Sequence, residues 1–194
     1  MILKKLLNLQ ALNSIKKFKK KNEEIFDIAI YGSAVKGKLD FNDIDLVILL
    51  NKKSSVSWKL KLSQELKNLL KNNIKYDLDV KSIDLYDLMD SSFIARQGII
   101  TSGYLILNKN NLSNLFGFNS SSIFKYNLKG LNNSKKTLFR YAMGGRNGKG
   151  LLELKKGEQL GRGSIKIPSI HEEEFKEFFE KFKINYKIIR CLCW

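Results

Sequence analysis

The chain has 194 residues, 43% hydrophobic and 28% charged, with one proline and two cysteines, a composition that excludes collagen-like, low-complexity and disulfide-scaffold classes. No apolar run approaches the roughly 18 residues of a membrane span, so a transmembrane protein is excluded. The 35 basic residues against 19 acidic ones leave a formal charge of +16, beyond the magnitude of about 2–8 that solubility explains. That excess points to a polyanionic partner, although a lysine- and asparagine-rich genome would produce it too.

Residues 1–24 carry Leu3, Leu6, Leu7, Ile15 and Phe18 at helical spacings between lysines, which predicts an amphipathic packing helix or two. Lys4 and Lys5 interrupt the apolar region, arguing against a signal peptide. Residues 26–31 form an apolar run ending at Gly32-Ser33, a short buried strand closed by a tight turn, with a helical turn over 34–37. A second apolar strand spans 44–50. Residues 54–71 follow as a helix with Trp58, Leu62, Leu66, Leu69 and Leu70 on one face, and its leading serines are natural N-caps. Residues 74–81 alternate: Ile74, Tyr76, Leu78 and Val80 point one way, and Lys75, Asp77, Asp79 and Lys81 the other. A helix over 84–95 and a short strand over 104–107 complete the first part.

From about Asn110 the texture changes to dense Asn, Ser and Gly, which places a domain boundary there: residues 1–109 as one domain, and residues 110–194 as a smaller basic α+β domain. Between Asn111 and Ile170 eleven basic residues stand against two acidic ones, Glu153 and Glu158. Arg140, Arg146, Lys149 and Arg162, with Phe139 and Tyr141 nearby, are candidates for a basic, aromatic RNA surface, with simple packing as the competing account. Residues 171–183 read as an acidic helix whose Phe175, Phe178, Phe179 and Phe182 face a core, with His171 exposed at its start. The run 144–150 resembles a phosphate loop but lacks Gly at Met143 and Ser or Thr at Gly150, so a turn with exposed cations is expected. Cys191 and Cys193 are too close for an ordinary bridge and, with one histidine in the chain, too few for a zinc site. They read as reduced thiols in a cytoplasmic protein.

The chemistry concentrates in Tyr31-Gly32-Ser33 and, after nine intervening residues, Asp43-Ile44-Asp45-Leu46. If Ile44 and Leu46 enter the core, Asp43 and Asp45 share the opposite face of the strand, where two carboxylates can grip the same hard divalent cations. Adjacent carboxylates between apolar residues are costly unless positive charge sits on them, and magnesium bridging to phosphate oxygens supplies it. Gly32 lets the backbone approach a phosphate at the strand end, and Ser33 offers it a hydroxyl.

This combination resembles the DNA polymerase β-like nucleotidyltransferase superfamily, whose signature is Gly-Ser or Gly-Gly, a spacer, then Asp-apolar-Asp/Glu-apolar. Gly37 and the Asn-Asp-Ile-Asp-Leu wording are similar to its minimal prokaryotic members, and the likeness covers about residues 25–107. The resemblance implies an α/β fold built on a small mixed sheet flanked by helices, and nucleotidyl transfer from a nucleoside triphosphate such as ATP to a hydroxyl. It implies two Mg2+ ions on Asp43 and Asp45, with a third carboxylate, acting also as general base, on the 76–80 strand. Asp79 is preferred there because Val80 continues the strand beyond it, with Asp77 as the alternative. Gly32 and Ser33 would hold the β- and γ-phosphates. Lys36 and Lys38, just past the turn, are candidates to neutralise phosphate charge, with solvated loop lysines as the competing account. The charge favours RNA, tRNA included, as acceptor, while minimal members often modify a protein as the antitoxin of a toxin pair. A nucleic-acid-binding or toxin-neutralising module without turnover is the competing class. Oligomeric state is left open.

Overall fold

The computed structural model describes residues 6–36 and 42–194; Gly37 and Lys38 lie outside them, as does Leu3. The chain forms two compact units, Met1–Phe116 and Gly117–Trp194.

The first unit opens with α1 (Leu9–Lys21). Asn8 caps it, its side-chain oxygen accepting from the Ala11 N–H at 2.8 Å, and Ala11, Ile15 and Phe18 turn inward. Strands β1 (Ile25–Tyr31) and β2 (Asp43–Leu50) pair antiparallel. Helix α2 (Val56–Leu70), capped by the Ser55 hydroxyl, carries the chain over to β3 (Asp77–Asp84), which lies parallel to β2. A 3-10 turn (Leu85–Met89) and α3 (Arg96–Ser102) lead to the short strands β4 (Tyr104–Leu105) and β5 (Asn110–Asn111) and then α4 (Leu112–Leu115). The mixed five-stranded sheet runs β3-β2-β1-β4-β5.

Both faces of that sheet are covered. On one, Ile28, Ile30, Ile44, Leu46, Ile48 and Leu50 pack against α1 and against Leu62, Leu66 and Leu70 of α2. Leu69, expected on that stripe, is 41% exposed instead, because the contact face is narrower than the run of leucines. On the other face Ala29, Val47, Leu49 and Ile83 pack against Leu88, Ile99 and Leu112. Asp27, fully buried at a β1 irregularity, accepts from the N–H groups of Leu107 and Asn108 and from the Asn108 amide at 2.7–3.1 Å, fixing the turn after β4.

Two expectations are corrected here. The alternating segment becomes strand only from Asp77, three residues later than read. The helix expected over 84–95 is the 3-10 turn followed by irregular chain. Asp84 and Asp87 form a reciprocal capping box around the turn, and Asp90 then accepts from both the N–H and the hydroxyl of Ser92, which stops any helix continuing.

The second unit comprises β6 (Asn119–Tyr126), α5 (Asn133–Gly144), α6 (Leu151–Leu154), β7 (Glu158–Gly161), β8 (Ser164–Pro168), α7 (Glu172–Lys181) and β9 (Tyr186–Cys193). Its antiparallel sheet runs β7-β8-β6-β9, so the order in chain and space is that of a split βαβ unit. Phe124, Phe139, Phe175 and Phe179 are fully buried and, with Tyr126, Phe178, Phe182 and Tyr186, make an aromatic core under α5 and α7. The phenylalanine stripe is core, as read. Phe139 is core too, which removes it from any exposed surface. No helix among the described residues is long and apolar enough to cross a membrane.

Candidate active site

The site follows from one strand whose alternation has two registers. The even positions of β2, from Ile44 to Leu50, are wholly buried, whereas the odd face begins Asp43, Asp45 and only then becomes Val47, Leu49. Apolar residues thus hold the strand from both sides along most of its length, and at its first two outward positions carboxylates replace them.

Strand pairing extends this into a constellation. Tyr31 of β1 lies opposite Asp45, and Asp45 lies opposite Asp79 of the parallel β3. Residues in register share a sheet face, so Tyr31, Asp45 and Asp79 form one row and Asp43 with Asp77 the next. Asp45 and Asp79 are half-buried, while Asp43 and Asp77 are exposed. Burial pushes the Asp45 carboxyl above the usual carboxylate range, and the like charges of Asp43 and then Asp79 push it further; Lys81 opposes them. Asp77 is not among the groups acting on Asp45. Burial likewise raises Tyr31, against the pull of the Lys81 ammonium.

Gly32 closes the row. Its φ of +81° is a backbone region that L side chains rarely adopt, and a Cβ there would overlap Asp45 Oδ2. Its N–H donates to Ser102 Oγ at 3.4 Å. Ser33 opens the 3-10 turn (Ser33–Val35), whose end is Lys36. All of these lie at the end of β1 and the starts of β2 and β3, on one rim of the sheet.

Lys81 was read from sequence only as a polar-face residue of its strand, and the structure gives it more. Its ammonium sits 2.8 Å from Asp79 Oδ2, and that hydrogen bond is the foremost reason its own pKa is raised. The signal was its place two residues beyond Asp79 on the same face. Among the described residues, no three His, Cys, Asp or Glu side chains stand close enough together to enclose an ion. The donor set itself suits a hard divalent cation: hard carboxylate oxygens crowded so that their charges oppose one another.

In the second unit Arg140, Arg146, Lys149 and Arg162 are all exposed. Arg146 stands over the Tyr141 ring at 5.1 Å, and Lys149 pairs with Glu153 at 3.1 Å. The loop 144–150 turns back on itself, so that a Cβ at Gly145 would strike Gly148. His171, expected to be exposed, is partly buried and 3.4 Å from Glu174. Cys191 and Cys193 are free thiols with their sulfurs 3.7 Å apart.

Among solved structures, one of the toxin–antitoxin MntA-HepT is 22% identical, with 50% of this chain and 68% of that chain covered at a TM-score of 0.34. A toxin–antitoxin structure with AMP-PNP is 25% identical, covering 49% and 71% at a TM-score of 0.36. A complex of tri-AMPylated Shewanella oneidensis HEPN toxin with MNT antitoxin is 24% identical, covering 50% and 68% at 0.34. Overlaps this loose decide nothing about substrate or partner. No curated protein matches the chain. Residues 13–112, more than half the chain, match the family described as polymerase beta, nucleotidyltransferase. The chain belongs to the polymerase beta nucleotidyltransferase family and is a nucleotidyltransferase.

Proposed function

We propose that the protein transfers a nucleoside monophosphate from a nucleoside triphosphate to a hydroxyl acceptor, and that Asp43, Asp45 and Asp79 are its catalytic carboxylates. The observation that carries this is the register: Asp45 opposite Asp79, Asp43 on the same face, and Gly32 against the Asp45 carboxylate. Asp79 is the third carboxylate in preference to Asp77 because it shares the row with Asp45 and acts on its charge.

Asp43 and Asp45 would hold two Mg2+ ions, with Asp79 completing the second site. Bound there, the ions would neutralise the triphosphate and make the acceptor hydroxyl more acidic. Asp79 takes the hydroxyl proton. The acceptor oxygen bonds to the α-phosphorus as the bond to the pyrophosphate oxygen breaks, and pyrophosphate leaves. The positive-φ turn at Gly32 leaves backbone N–H groups and the Ser33 hydroxyl for the β- and γ-phosphates, and Lys36 adds positive charge.

The +16 charge supports a polyanionic acceptor, and RNA is the reading it favours. The basic cluster at Arg140, Arg146, Lys149 and Arg162 is the proposed contact. One feature weighs against recognition by base stacking on the sheet. The face that the second unit's own helices leave uncovered presents Ile123 and Lys125 from β6 and Ser164, Lys166 and Pro168 from β8, with no aromatic ring among them.

The test is transfer of label from each of the four α-labelled triphosphates, with Mg2+, into total RNA and total protein. The native chain and Asp43→Asn/Asp45→Asn are compared. Label in one pool, lost in the double variant, is expected and identifies the acceptor class. Label that persists in the variant, or none from folded native protein, overturns the proposal.

A further inference from the structure

Lys81 stands where the proposed reaction has no place for it. It lies two residues beyond Asp79 on the same face of β3, level with Val47 of β2, and its ammonium is bound to Asp79 Oδ2 at 2.8 Å. The Tyr31 phenol faces the same ammonium from across the row. Asp79 is thereby drawn along its own strand toward Lys81, and the three carboxylates do not converge as they stand.

Resting on the assignment of Asp43, Asp45 and Asp79 above, we infer that Lys81 is a positioning residue. It holds Asp79 out of the carboxylate cluster and gives it up when a divalent cation binds. The energetics suit such an exchange. Both partners are about half exposed, 53% for the Lys81 side chain and 47% for Asp79, and ion pairs of that exposure are weak. A divalent cation meeting three carboxylates outcompetes one screened ammonium easily, so Lys81 lowers metal affinity only modestly. Until then its charge also offsets the repulsion between Asp79 and Asp45. Once released, the ammonium remains on the site's own face of the sheet.

The test is Mn2+ binding to the full chain without nucleotide, followed by electron paramagnetic resonance or calorimetry, with folding checked by circular dichroism. Lys81→Met should bind Mn2+ about two- to fivefold more tightly than the native chain. Lys81→Arg, which keeps the ion pair, should stay near the native value. Adding Asp79→Asn to Lys81→Met should remove the gain. Unchanged or weaker binding by folded Lys81→Met, with binding still lost in Asp43→Asn/Asp45→Asn, overturns the role of Lys81 alone. Binding that survives Asp43→Asn/Asp45→Asn, or no binding by the native chain, overturns the carboxylate site and this inference with it.

Discussion

Asp45 bears the electrostatic cost of the site. It sits between the fully buried Ile44 and Leu46, and burial, then Asp43, then Asp79 raise its pKa above that of an unfolded chain. A raised carboxyl binds its proton more readily when folded. At neutral pH the ionised group therefore destabilises the fold, and the cost disappears as pH falls through the folded value toward the unfolded one near about 3.9. Asp45→Asn should abolish transfer yet raise Tm at pH 7. The gain should be below about 1 kcal/mol because solvent screens a half-exposed group, and it should vanish by about pH 4. Mg2+ should raise the Tm of the native chain and leave that of Asp45→Asn nearly unmoved. Melting curves over a pH series, with and without Mg2+, check both statements. A lower Tm for Asp45→Asn at pH 7 would mean that the carboxylate makes net favourable contacts in the free protein.

At the scale of elements, the second unit depends on one buried carboxylate. Glu172, the first residue of α7, has no exposed surface. Arg190 of β9 binds it through Nε and Nη2 at 2.7–3.1 Å, and Ser122 of β6 donates to it at 2.6 Å. Helix and sheet are thus joined by a forked ion pair. Arg190→Met leaves the carboxylate buried without its main partner, a loss of about 3–5 kcal/mol in fully buried cases. The lower end is expected here, because the Arg190 side chain is 41% exposed. Glu172→Met/Arg190→Met should recover most of that loss, and urea denaturation of the three proteins measures it. A loss under about 0.5 kcal/mol for Arg190→Met would show that Lys176, 3.4 Å from Glu172, suffices. None of this network was legible in the sequence, since Ser122 and Arg190 meet through pairing between strands distant in sequence and Glu172 reaches them from a helix packed on the sheet. The same limit hid the β7-β8-β6-β9 order. The local features were legible: β1 and β2 follow from apolar runs, α2 from helical spacing and a serine cap, and the carboxylate face of β2 from the placing of Asp43 and Asp45 on either side of Ile44. The expected helix over 84–95 failed because side chains of Asp84, Asp87 and Asp90 bond to nearby backbone, competition that periodicity does not register.

For the whole molecule the question is what the charge of +16 does. The second unit holds 16 basic and 7 acidic residues, a balance of +9. Its acidic side chains are largely engaged internally, as in Glu172 with Arg190 and Glu174 with Lys155. Arg140, Arg146, Lys149 and Arg162 stay exposed on helix and loops, where phosphate contacts need no rearrangement of the core. If RNA is the acceptor, its binding must release counterions, so affinity falls steeply with salt, by about 0.7 in logarithmic slope per phosphate contact on a single strand. Replacing all four residues with glutamine should flatten that slope by at most about 3 and weaken RNA binding at low salt. The Mg2+-induced rise in Tm should remain, because the carboxylate rim lies in the first unit. Label entering RNA should fall in proportion to the lost affinity and recover at higher RNA concentration. Filter binding across a salt series and label transfer across an RNA series provide the two measurements. An unchanged salt slope with undiminished labelling of RNA would move the contact surface elsewhere. Undiminished labelling of protein, with RNA never labelled, would leave the charge without a part in choosing the acceptor.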